Sequence, residues 1–159
     1  MVRGLSGEWV DHIAKQWNGL AEGQALFLIL PAYRPDVVER LARHLGVRFY
    51  DFRRGRLIPL GWTAASLPLG TLDNTAIEEM AGGYPLVLHN CETLLSLATP
   101  MARTAWFTEA LQKTWPAKLL IPVVLFIRDL PDEIAGRSVT VEVGDLPPDI
   151  LLDRLSSLR

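Results

Sequence analysis

Ala25-Leu26-Phe27-Leu28-Ile29-Leu30 is an uninterrupted apolar run, followed by Pro31-Ala32-Tyr33-Arg34-Pro35 and then by the segment Asp36–Leu45. A strand with one wet face alternates apolar and polar residues, whereas a continuous apolar run is covered on both faces and belongs to a parallel sheet. Behind the turn, Val37, Val38, Leu41, Ala42 and Leu45 recur at helical spacing, and Gly46 follows as a stop. A buried strand that leads through a short turn into an amphipathic helix is the unit of an α/β fold.

The same alternation continues outward from this unit. Trp9, Ile13, Trp17 and Leu20 predict a helix before the first strand, with Trp9, Trp17 and Trp106 on core faces. Val47–Phe52 reads as a second strand, Leu72–Met80 as a short helix ended by Gly82-Gly83, and Leu86–Leu88 with its flanks as a third strand. A helical stretch broken near Pro100 and resumed over Ala102–Thr114 comes next. Leu119–Ile127 reads as a fourth, buried strand, in which Pro122 predicts a bulge or an early strand start. Ser138–Val143 alternates as a fifth strand, and Pro148–Leu158 closes the chain as a helix. Arg53–Gly70 shows no clear period and is expected to be an irregular excursion. The expectation is one domain over residues 1–159, a three-layer α/β sandwich with a mostly parallel five-stranded sheet. The element order matches the core of a RecA/AAA-like P-loop fold, and a flavodoxin-like sheet fits the same pattern.

The phosphate-binding residues of a P-loop enzyme are missing. Such a protein places Gly-x-x-x-x-Gly-Lys-Ser/Thr after the first strand, so that backbone N–H groups and a lysine cradle the phosphates. Pro31–Pro35 contains neither Gly nor Lys, and its prolines have no N–H to offer. The third strand should lead into an Asp that holds Mg²⁺. Here it leads into His89, Asn90, Cys91 and Glu92, and neither His89 nor Asn90 supplies the anionic oxygen that Mg²⁺ favours. The expectation is a pseudo-NTPase with no catalytic residue, no metal ligands and no cofactor. Tyr33, Arg34, His89, Asn90 and Glu92 would converge at strand C-termini, where α/β proteins bind ligands. Arg34 could then contact phosphate in place of lysine, while Glu92 could equally be a helix cap or an arginine partner. Asp129, Asp132 and Glu133 form a local acidic cluster that a solvated turn explains.

Composition sets further bounds. The 159 residues carry a net charge of -2 with 49% hydrophobic residues, which gives no basic footprint for general nucleic-acid binding. Nucleic acid would be touched only indirectly. The lone cysteine, Cys91, reads as a buried inert thiol and excludes an internal disulfide. No apolar run approaches the ~20 residues of a membrane span, so the cytoplasm is the expected location. Trp62, with Leu57 and Leu60 beside it and the basic pair Arg53 and Arg54 just upstream, lies in an apolar excursion with no evident core role. That segment reads as a protein-docking surface, or else as a loop folded back over the sheet edge.

Two segments carry a resemblance. Phe27–Pro35 looks like the opening strand and Pro/Tyr/Pro turn of the BrxB family, accessory proteins of BREX phage-defence systems. Leu86–Leu95 looks like the third strand of that family, and Asp51-Phe52 and Leu119–Ile127 fit the same alignment over Ala25–Leu130. The BREX P-loop protein BrxF has a similar outline, from which this chain departs by lacking the lysine loop and by carrying His89 where BrxF has Asp. The resemblance implies a non-catalytic subunit of an anti-phage complex. Its partner would be a larger, phosphatase-fold PglZ-like protein.

Overall fold

The computed structural model describes residues 7–132, 134 and 136–148. Its core is a five-stranded sheet in which every pairing is parallel. The strands are β1 (Ala25–Ile29), β2 (Arg48–Asp51), β3 (Leu86–His89), β4 (Leu119–Val123) and β5 (Ser138–Thr140), laid side by side in the order β2-β3-β4-β1-β5.

Period-two alternation splits each central strand between two cores. On one face Leu26, Leu28, Val87 and Leu120 meet α1 (Glu8–Gly19) and α2 (Pro35–Leu45) through Ile13, Trp17, Val38 and Leu41. On the other, Phe27, Leu86, Leu88 and Ile121 meet α4 (Gly70–Glu79), α5 (Cys91–Leu95) and α6 (Pro100–Gln112) through Leu72, Leu94 and Phe107. The two faces follow from handedness. The chain leaves β1 toward the β2 edge, then steps back through β3 and β4, and right-handed crossovers running in opposite directions must lie on opposite faces. The β4-to-β5 connection runs in the second direction, and its Leu130 is buried in the second core accordingly.

Several sequence expectations are corrected here. Arg53–Gly70 is mostly helical rather than irregular: a π-turn (Arg53–Leu57) runs into α3 (Ile58–Leu60) and a 3-10 helix (Gly61–Ser66). Its glycine in Arg-Arg-Gly-Arg has a steric reason, because a Cβ at Gly55 would overlap the Tyr50 phenol. β4 ends at Val123, four residues before the expected Ile127, and Pro122 makes no bulge but lies in register with Leu28. Val123 turns its carbonyl to β1, where Leu30 donates to it, so Pro122 faces β3 beyond the end of the β3–β4 ladder. Proline has no N–H to donate on that side, and the β3–β4 ladder stops at Val87 and Leu120 although both strands run on. β5 is also shorter than expected, and a 3-10 turn (Val143–Asp145) follows it. Of the tryptophans assigned to core faces, Trp17 and Trp106 are buried and Trp9 packs partly buried against the first core. The expected helix Pro148–Leu158 lies, beyond its first residue, outside the described residues, as does Glu133.

Candidate functional site

Parallel strands bring the ends of β1, β3 and β4 to one edge. Connections leaving β1 and those leaving β3 and β4 depart in opposite directions there, which opens a crevice. Its walls include Leu30, Tyr33, Arg34, Val38, His89, Asn90, Glu92, Pro122 and Val124. All five residues expected at the strand C-termini therefore line one crevice. Between its walls there is room for about one water molecule, far below the ~300 Å³ at which small-molecule pockets begin.

Each polar side chain in this crevice has its own surroundings. Glu92, in the first turn of α5, is 8% exposed and accepts three backbone N–H groups of the segment after β4. Val124 donates to Oε1 at 2.8 Å, while Leu125 and Phe126 donate to Oε2 at 2.6 and 2.8 Å. The carboxylate is thus committed to ending β4 and fixing the turn that follows. Arg34 donates to both oxygens of Asp36, Nε to Oδ1 at 3.0 Å and Nη2 to Oδ2 at 2.9 Å, and Nη1 donates to the Pro147 carbonyl at 2.8 Å. The Arg34 guanidinium holds the Asp36 carboxyl below the usual carboxylate range. This fork-to-carboxylate pairing occupies the geometry that would otherwise grip a phosphate.

Asn90 is the one non-glycine residue at positive φ among the described residues, at φ 65° and ψ 24°. Left-handed backbone is costly for most residues, and asparagine tolerates it best among those with side chains. Its Nδ2 donates to Asp51 Oδ1 at 2.9 Å, and the same oxygen accepts the N–H groups of Arg53 at 3.0 Å and Arg54 at 3.3 Å. Asp51 therefore ties the end of β3 to the start of the helical excursion. Its role was not singled out in the sequence, although an Asp at the end of a strand just before a helical turn is a usual capping signal.

His89 is 3% exposed and lies between two aromatic rings. Tyr33 stacks at 5.8 Å with 13° between planes, and Phe49 lies at 5.2 Å and 33°. Among the described residues neither ring nitrogen has a hydrogen-bond partner. Burial pushes the imidazole pKa down, against the pull of Asp51 and then of Glu39. Phe49, the inner wall of this stack, is another site residue absent from the sequence reading.

The docking candidates separate into inner and outer residues. Trp62 is 98% exposed, Leu60 and Ile58 are exposed beside it, and Arg53 and Arg54 are exposed at the base of the excursion. Leu57 is corrected: at 9% exposure it points into the second core and anchors the projection rather than presenting it. Cys91 is fully buried, which pushes its thiol pKa up. Asp129 of the acidic cluster pairs with Arg103 at 2.6 Å.

Among the described residues no group of three or more His, Cys, Asp or Glu is placed to hold a metal ion, and no helix is long and apolar enough to cross a membrane. No protein-family model matches the chain, and no curated protein matches it.

Proposed function

We propose that this chain is a non-catalytic protein-interaction module on a P-loop-like α/β fold whose nucleotide site is closed. The strand order, read as β5-β1-β4-β3-β2, supports a RecA/AAA-like ancestry over a flavodoxin-like one, whose order is 2-1-3-4-5. The observation that carries the reading is Glu92. In a P-loop ATPase the acid in this region orients water toward a metal-bound phosphate. Here three backbone N–H groups take up its carboxylate, and the crevice in front of it has room for about one water. Docking falls to the projection that carries Trp62, since a large aromatic side chain left in solvent is the kind of anchor that interfaces bury. By its resemblance to BrxB, the module would work within an anti-phage complex, on a PglZ-like partner.

Two measurements test this reading. Purified protein with Mg²⁺ should turn over ATP and GTP no faster than buffer. Turnover that disappears in a folded Glu92→Gln variant overturns the pseudo-enzyme. Co-expression with a PglZ-like protein should give a complex that Trp62→Ala weakens, and no complex with wild type removes that partner.

A second reading, a regulatory domain that binds a small molecule or nucleotide, has one observation in its favour. Both nitrogens of buried His89 lack partners, and a buried polar group without a partner costs about 1–3 kcal/mol. A ligand that opened the Tyr33 turn could satisfy them. A nucleotide thermal-shift screen separates the two readings, because a ligand at 100 times its Kd adds ~2.7 kcal/mol of stability.

A further inference from the structure

The two rings that flank His89 are held in different ways. Phe49 belongs to β2, in register with Val87 of β3, and packs against the first core. Tyr33 stands in a turn outside any strand or helix and is 56% exposed. Both ends of that turn are fixed. The Leu30 N–H donates to the Val123 carbonyl, and Arg34 is bonded to Asp36 and Pro147. Between these points Ala32 and Tyr33 make no hydrogen bond with the described residues, and Pro31 has no N–H to give. The Tyr33 ring lying on His89 is what seats the turn.

The surroundings of His89 suit its neutral form alone. Protonation makes both ring nitrogens donors, and among the described residues neither has an acceptor within hydrogen-bond reach. The charged and titratable groups around the ring are Asp51 of β2, Glu39 of α2, Glu92 of α5, and Arg34 and the Tyr33 phenol of the turn. Asp51 and Glu39 attract a proton from a distance. Glu92 is taken up by three N–H groups, and Arg34 is paired with Asp36. The flanking rings favour a cation over their faces but offer the N–H groups no acceptor. Burial outweighs these attractions, so the closed stack resists the proton.

From this arrangement we infer that the Tyr33–His89–Phe49 stack is a proton-operated latch: when His89 takes a proton, Tyr33 swings out with its turn, water reaches the imidazolium, and Phe49 stays in place. The Tyr33 side is the one that yields, because moving Phe49 would break the pairing of β2 with β3, whereas moving Tyr33 breaks no hydrogen bond with the described residues. Once open, His89 titrates near the ordinary histidine value of ~6.5. Between pH 7.5 and pH 5 the ratio of open to closed molecules therefore rises by up to about thirtyfold. Acidification turns a crevice with room for about one water into an open one walled by Leu30, Val38, Asn90 and Pro122. The inference goes beyond the proposed function: a missing partner or nucleotide turnover leaves it standing, and its own failure leaves the crevice closed.

The test is an NMR titration of the full chain from pH 7.5 to pH 5, with the exposed His12 and His44 as internal references. At pH 7.5 ring protons of His89 should show nuclear Overhauser contacts to both Tyr33 and Phe49. As His89 titrates, the Tyr33 contact should fade with the same midpoint, while the Phe49 contact and the dispersed backbone amides persist. In His89→Phe, Tyr33 should stay seated across the range. A His89 that titrates with the Tyr33 contact intact overturns the inference, as does one that does not titrate above pH 5. So does loss of the Phe49 contact and amide dispersion along with Tyr33, which is general unfolding, or release of Tyr33 in the folded His89→Phe variant. If that variant does not fold, the wild-type titration decides by itself.

Discussion

The Glu92 carboxylate accepts the backbone N–H of Leu125 at 2.6 Å, linking the first turn of α5 to the chain just past β4. With Val124 and Phe126 donating as well, one side chain satisfies three consecutive amides of the turn that follows a buried strand.

Glu92→Gln keeps the size of the side chain but replaces one acceptor oxygen with an NH₂ that faces N–H groups. The expected loss is about 2–3 kcal/mol, the cost of weakened charge-assisted bonds plus an unpaired amide. Urea unfolding measures it. A variant as stable as wild type would show that the three bonds are not made in solution.

The His89 imidazole is held below its ordinary pKa by burial. Its folded value is therefore lower than its unfolded one of ~6.5, and stability is fully present above that value. As pH falls through ~6.5 the unfolded chain binds a proton that folded His89 refuses, so stability declines until the folded pKa is passed, at up to ~1.4 kcal/mol per pH unit. Phenylalanine would fit between Tyr33 and Phe49 and cannot titrate. His89→Phe should flatten the dependence between pH 5 and 7, and curves of equal slope would assign the effect elsewhere.

Left-handed backbone at Asn90 separates two substitutions. Asn90→Gly loses the bond to Asp51 but relieves the conformation, and should cost less than about 1 kcal/mol. Asn90→Ala loses the same bond and keeps the strain, and should cost ~2–3 kcal/mol. The comparison rests on the order of the two unfolding midpoints; the reverse order would mean that residue 90 is not left-handed.

Within the helical projection, neighbours should behave oppositely. Leu57→Ala empties a core position and should cost about 2–4 kcal/mol. Trp62→Ala removes a side chain in solvent and should leave stability within ~0.5 kcal/mol. Thermal unfolding distinguishes them, and a large loss at Trp62 would place it inside the fold.

The sequence by itself determined the α/β class and the main strands, because a continuous apolar run as short as Ala25–Leu30, between Gly23 and Pro31, suits a strand covered on both sides. It also determined that the phosphate-loop motif is absent, since Pro31–Pro35 has neither the glycines nor the lysine of that loop and its prolines have no N–H. Only the tertiary structure decided the rest. Pro122 could be read as a bulge until the register showed it paired with Leu28 of β1, with only the β3–β4 ladder stopping short of it. Arg53–Gly70 lacked a helical period because its turns are π, α and 3-10 in succession, and mixed turn lengths give no constant spacing. Which residues of that segment face inward could not be read for the same reason, so Leu57 and Trp62 looked alike. The use of Glu92 depends on amides 32 to 34 positions away, brought to it by the parallel pairing of the strands. Local pattern records what each segment can bury. Which polar group meets which is set by the order of strands in the sheet.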